Sequence, residues 1–374
     1  MTNVSTLGQS VDQISRLLRQ QSTFEDLSTQ LATGKRVDQF SELGSDTLRI
    51  QRARADISSL EQYSTNITNS SRRIDLIAGT LEQVTDQVNN ILGALRTGVQ
   101  GGDAPDFETT QQFASDVHDF LLDLINTKDG ERFLFAGSDS RIQPIEDRGA
   151  FDSFLGTFVP DENDLTASPL QSSGFIGDWA SGFISTEEFI ETYSNTPDPV
   201  LGYSEALSSG STGKVSVRVD DNSDFDYTVL GNNEGLRDLV ITLGVLKNLP
   251  PPEFAPGALN DPTALSTAQD TGPFPSAEKQ ENFFQVINDL TARIASSTDK
   301  IEQDVYRLSL VQAQTFSIQE QQQLQINSFE TIISQVEDAD ITEVSVQIQR
   351  LQTSLQASFS VTALAADLTL VNFL

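Results

Sequence analysis

The chain has 374 residues, room for two or three domains, and a formal net charge of −31 at pH 7. A polyanion of this size repels nucleic acid and anionic membranes, so neither is an expected partner. It contains no cysteine, which excludes disulfides and thiolate metal sites, and no apolar run approaches the ~18 residues of a membrane span.

The first segment places Val4, Leu7, Val11, Ile14 and Leu18 at alternating intervals of three and four. Phe24, Leu27 and Leu31 continue the pattern in a register shifted by one residue. That spacing predicts an amphipathic helix with a narrow apolar stripe. Gly34 is the expected stop, and Ser45 or Asp46 the expected N-cap of the next helix. In that second helix Ala53, Leu60, Ile67, Ile74, Leu81, Val88 and Leu95 recur every seven residues without a miss. Gly98, Gly101, Gly102 and Pro105 predict its end. A third helix is expected over about 108–126, carrying Phe113, Val117, Phe120, Leu121 and Leu124 on one face.

Composition then changes. All 13 prolines and 18 of the 23 glycines lie between residues 98 and 275. Residues 101–300 also carry 34 acidic against 11 basic side chains, so this middle is the expected water-facing part. Arg132 to Gly137 predicts a short strand, and Lys214–Val219 with Phe225–Val229 a hairpin around the Asp220–Asp224 turn. A short helix over 235–249 and a Pro-, Ala- and Thr-rich loop over 250–275 complete the stretch.

Residues 276–374 contain neither glycine nor proline. Ile287, Ile294, Ile301 and Leu308, then Phe329 and Val336, again recur at seven, a period that implies coiling against a partner helix. Polar Thr315, Gln322 and Gln325 interrupt the stripe and predict a wetter stretch. At the end, Ile341, Val344, Ile348, Leu351 and Leu355 alternate by three and four, followed by Val361, Leu364, Leu368 and Val371. Two narrow-striped helices at opposite ends can pair, and any stripe left over is available to neighbouring subunits.

The expected fold is therefore mainly α. The two chain ends form a long antiparallel helical bundle or coiled coil, with a β-rich domain inserted. The expected divisions are 1–40 and 337–374 for the terminal helices, 41–141 and 276–336 for the rod, and 142–275 for an acidic outer insertion whose deletion would spare the rod. The rod core is assigned to Leu60, Ile67, Ile74, Leu81, Val88, Leu95, Ile287, Ile294, Ile301 and Leu308. The subunit interface is assigned to Val4, Leu7, Val11, Ile14, Leu18, Ile341, Val344, Ile348, Leu351, Leu355, Leu364 and Leu368.

Residues 27–37, Leu-Ser-Thr-Gln-Leu-Ala-Thr-Gly-Lys-Arg-Val, resemble the block after the first helix in the bacterial flagellin and flagellar hook-associated protein family. Glu337-Asp338-Ala339-Asp340 with Thr342-Glu343-Val344 resembles the entry to that family's last helix. Leu355-Gln356-Ala357-Ser358 and the closing Leu-Val-Asn-Phe-Leu match as well. Gly130-Glu131-Arg132-Phe133-Leu134-Phe135-Ala136-Gly137-Ser138 is most similar to the hook–filament junction type, and the alternative is a filament flagellin. Gly44-Ser45-Asp46 departs from the family's usual Asp-Asp, and residues 142–275 match no motif.

The resemblance implies an extracellular structural subunit without catalysis or cofactors. It implies export through the flagellar type III apparatus without a cleavable signal peptide, aided by an export chaperone. Its partners would be copies of itself in a ring or helical assembly, together with other hook-associated proteins and flagellin. An enzyme carried on a helical stalk is the reading from another class, and it requires converging carboxylates within 142–275. Lone His118 and Trp179 read as packing residues. Gly210–Lys214 lacks the first glycine and the Ser/Thr of a phosphate loop, and Asp220, Asp221, Asn222 and Asp224 lack the spacing of a calcium loop. No metal site is expected.

Overall fold

A computed structural model of the chain describes residues 3–37, 44, 46–101, 107–156, 174–180, 182–251, 255 and 277–371. The protein is mainly helical. Helix α1 spans Asn3–Thr33, α2 Asp46–Gly101 and α3 Phe107–Ile125. Four short helices follow: α4 (Ala150–Leu155), α5 (Phe175–Ala180), α6 (Thr186–Ser194) and α7 (Glu205–Ser208). Then come α8 (Glu234–Asn248), α9 (Ala277–Glu337) and α10 (Ile341–Val371). The 61 residues of α9 are uninterrupted because nothing in them breaks the hydrogen-bond ladder. Helix α2 runs on through Gly98 to Gly101, where the sequence predicted its end.

The chain divides into two compact units, one of Met1–Ser64 with Gln319–Leu374 and one of Thr65–Ile318. In the second unit α8 lies along α3, and α4 and α6 pack on α8. Ten of the fifteen residues of α8 are buried, among them Leu236, Leu239, Leu243 and Leu246. The close approach of α8 to α9 depends on Gly235. A Cβ there would stand 2.9 Å from Ile301 and 3.1 Å from the carbonyl oxygen of Ser297.

A ladder of rings extends this core. Phe154 stacks on Phe175 at 5.5 Å, Phe175 on Phe189 at 5.0 Å, and Phe189 on Trp179 at 4.9 Å. Trp179 is fully buried and donates its indole N–H to Thr186 Oγ1 at 3.2 Å. The Tyr193 hydroxyl donates to Asp289 Oδ2 at 2.6 Å, and Arg293 Nε donates to the same oxygen at 2.6 Å, which ties α6 to α9.

One continuous core joins residues of α2 from Ile67 to Leu95, α3, described residues between 134 and 255, and residues of α9 from Phe283 to Val311. One expectation changes here: the described residues of 142–275 are not rich in strand. The hairpin is present, with β3 (Ser216–Arg218) antiparallel to β4 (Asp224–Asp226) and Val217 opposite Phe225, but each strand has only three residues. Ahead of it, β1 (Lys128–Asp129) pairs with β2 (Arg132–Phe133). The apolar run after Phe133 leaves the ladder because Leu134 and Phe135 are buried in the core, and Phe135 turns its carbonyl to the amide of Gly231 at 2.8 Å. Helices α4 to α7 have four to nine residues, too few for a 3.6-residue period to show.

Candidate assembly interface

In the first unit α1 and α10 pack side by side in opposite directions. Gln20 Nε2 reaches Ser354 Oγ at 3.1 Å, while Leu27 lies in a small cluster with Val344 and Ile348. Phe24, Ala339 and Leu351 pack against that cluster. These few residues are its apolar centre, and much of the remaining stripe faces water. Val11, Ile14 and Leu18 are 58%, 56% and 61% exposed, and on α10 Ile341, Phe359 and Val361 are exposed as well. Leu355 is half-buried. The side chains of Val4, Leu7, Leu364 and Leu368 lie outside the described residues. The residues assigned to one interface thus separate. Val344, Ile348, Leu351 and Leu355 face inward to varying degrees, and Val11, Ile14, Leu18 and Ile341 face outward.

The pair is joined to α2 and α9 through a compact junction. Gly34 follows α1 at φ +69°, a left-handed conformation that a Cβ disfavours, and its N–H caps the helix on Gln30 at 2.9 Å. Lys35 and Asp338 then form an isolated antiparallel bridge. The Arg36 amide donates to the Glu337 carbonyl at 2.7 Å, and the Ala339 amide to the Gly34 carbonyl at 2.9 Å. Asp340 caps α10, its Oδ1 accepting from the amides of Thr342 at 2.9 Å and Glu343 at 3.2 Å.

Charge closes the junction. The buried Glu337 carboxylate accepts two bonds from Arg54 Nη2 on α2, at 2.8 and 2.9 Å, and lies 3.7 Å from Lys35 Nζ. Lys35 also donates to Asp338 Oδ1 at 2.6 Å. That bond raises the pKa of the ammonium above its ordinary value and holds the Asp338 carboxyl below its own. Both blocks, 34–36 and 337–340, are visible in the sequence. Their mutual contact is not, because 300 residues separate them.

The heptad residues are buried, apart from half-buried Leu60, Phe329 and Val336. Ile67, Ile74, Leu81, Val88 and Leu95 on α2, and Ile287, Ile294, Ile301 and Leu308 on α9, belong to the second unit's core. There Gln312 Nε2 donates to Asp75 Oδ1 at 2.6 Å, and in the first unit Gln319 Nε2 donates to Ser64 Oγ at 2.9 Å. Thr315 and Gln322 are buried rather than wet, while Gln325 is exposed. Thr315 is accommodated because its hydroxyl bonds back to the Gln312 carbonyl of its own helix at 3.0 Å.

His118 is buried in the second unit. Its Nδ1 lies 3.3 Å from Lys247 Nζ, which donates to Asp152 Oδ2 at 2.8 Å. Loss of water, and then the Lys247 charge, push the imidazole down to about 3, so it is neutral at physiological pH. Gly244 and Phe151 pack beside it. The Asp220–Asp224 turn is held by Arg218, whose Nη2 donates to the Asp221 carbonyl at 2.9 Å. Among the described residues no group of three or more His, Asp or Glu is placed to hold a metal, and no helix is long and apolar enough to cross a membrane.

The geometry is that of a helical pair presenting an apolar stripe from a locked base. Residues 4–140 match the family model described as the bacterial flagellin N-terminal helical region. The matched stretch contains α1, α2, α3 and the first hairpin, just over a third of the chain. It supports the bacterial flagellin family. No curated protein matches the chain.

Proposed function

We propose that this protein is a structural subunit of the bacterial flagellum, and that it joins hook to filament as a hook-associated junction protein. The observation that carries the flagellar reading is the terminal pair. Its partner helices bury few apolar residues against each other while Val11, Ile14, Leu18, Phe359 and Val361 remain in water. A stripe of this kind is covered when copies pack together. In this reading residues 1–40 and 337–374 line the inner tube, 41–141 and 276–336 form the layer around it, and the acidic residues 142–275 face outward. The subunit crosses the type III apparatus unfolded, with a chaperone guarding its terminal helices, and it has no catalytic role. The resemblance at 130–138 supports the junction reading; the alternative is a flagellin that polymerises into the filament itself, and the family match at 4–140 fits both.

Electron microscopy of cells lacking the protein separates the two. A junction protein leaves hooks without filaments and flagellin shed into the medium. A filament subunit leaves bare hooks and no shed flagellin. Normal filaments and normal swimming would end the flagellar reading.

A further inference from the structure

Glu337 touches three elements at once. Its carbonyl accepts from Arg36 just past α1, its carboxylate accepts two bonds from Nη2 of Arg54 on α2, and it is itself the last residue of α9. The backbone bridge at Lys35 and Asp338 ties the end of α1 to the end of α9, and it leaves their direction relative to α2 open. Ile50 and Ala53 of α2 are buried nearby in sequence, but apolar contact is non-directional and tolerates rotation. Both bonds come from one guanidinium nitrogen, Nη2, one to each carboxylate oxygen, and a hydrogen bond is directional where an apolar contact is not. Burial strengthens the requirement. A carboxylate this enclosed has little water to turn to when its partner leaves.

We propose that Glu337 is a clasp that holds the α1–α10 pair in one orientation relative to the first turns of α2 and the last turns of α9. Opening the clasp frees the pair to swing about Gly34 and Asp340, the two positions where helix gives way to connecting chain. The exposed stripe of Val11, Ile14 and Leu18 then loses its fixed direction while both helices persist. Glu337 and Arg54 are positioning residues: they act on the stripe through the angle of the pair and belong to neither apolar cluster.

The absence of cysteine makes the test direct. Spin labels at Gln325→Cys on α9 and Gln356→Cys on α10, both exposed positions, report the distance between the two helices in the free full-length chain. With Glu337 and Arg54 in place, pulsed electron–electron resonance gives a single narrow distance peak. Glu337→Gln and Arg54→Gln each lose that peak to a broad distribution, with helical circular dichroism unchanged. Single narrow peaks retained in both glutamine variants overturn the clasp. Arg54 is half-exposed, so its glutamine variant reports on the clasp even if Glu337→Gln lowers the yield of folded protein. The measurement concerns the free chain and stands apart from the flagellar reading. Normal filaments in cells lacking the protein would end that reading and leave the distances untouched.

Discussion

The core around α8 and the pairing of α1 with α10 are two solutions to helix packing, and they differ in how much each buries. In the first, Leu239, Leu243 and Leu246 on α8, with Leu290, Ile294 and Leu308 on α9, are removed from water almost completely. In the second, the buried residues are Leu27, Val344 and Ile348, and whole turns of apolar surface remain outside. Burial of apolar area is the main favourable contribution to folding, and isolated helices are marginal without it. Stability is therefore concentrated in residues 65–318. The terminal pair keeps its apolar surface available for association.

The sharpest way to break this contrast is to remove the middle of the chain. Joining residue 141 to 276 through a short linker deletes α4 to α8 and uncovers the faces of α3 and α9 that they bury. The cooperative thermal transition of the second unit should be lost, as followed by circular dichroism. A retained transition would show that α2, α3 and α9 form a core without α8.

Next in size, Leu81→Ala should cost ~2–5 kcal/mol in chemical denaturation, since the side chain is buried on every side. Exposed Glu82→Ala, one residue on, should change stability by no more than about 0.5 kcal/mol. Arg72 and Arg73, exposed by heptad position, are unsuitable controls. Arg72 forms a fork with Asp129 at 2.8 and 3.0 Å, and Arg73 donates to the Phe133 carbonyl at 2.9 Å.

A third effect depends on pH. His118 takes its proton near pH 6.5 when unfolded and only at about 3 in the folded protein, so the unfolded state binds more protons between these values. Its contribution to stability is fully present above pH 6.5, falls as the pH drops through that window, and is lost below about 3. His118→Leu should reduce the stability difference between pH 7 and pH 4.5 by roughly 2–3 kcal/mol, at about 1.36 kcal/mol per pH unit. Parallel urea titrations at the two pH values measure it. An unchanged difference would mean that the imidazole is open to water.

The smallest effect on folding should accompany a large one on association. Val11→Ser with Leu18→Ser should shift monomer stability by less than about 0.5 kcal/mol, because both side chains are already in water. The same pair should abolish incorporation into assemblies, scored by sedimentation. Assembly that survives the double substitution would remove the stripe from the interface.

Much of the helical scaffold was legible in the sequence because long helices advertise their period. The seven-residue recurrence from Ala53 to Leu95, and the absence of glycine and proline after residue 275, lead to α2, α9 and α10 with ends within a few residues. The candidate interface was legible as a stripe, since amphipathicity is a local property. Which side of that stripe meets α10 and which meets water was not, because Leu18 and Leu27 are equally apolar and only the packing angle distinguishes them. The middle of the chain misled for a related reason. Glycine, proline and short alternations mark turns and strands locally, yet Phe151, Trp179, Phe189 and Leu239 enter the same core as Ile74 and Ile294 through contacts distant in sequence. The Glu337–Arg54 clasp belongs to the same class. Sequence alone determined where the long helices run and which of their faces are apolar, because those depend on neighbours within a turn or two. Only the tertiary structure decided which apolar faces are covered and which carboxylate meets which guanidinium, because those depend on chain closure over hundreds of residues.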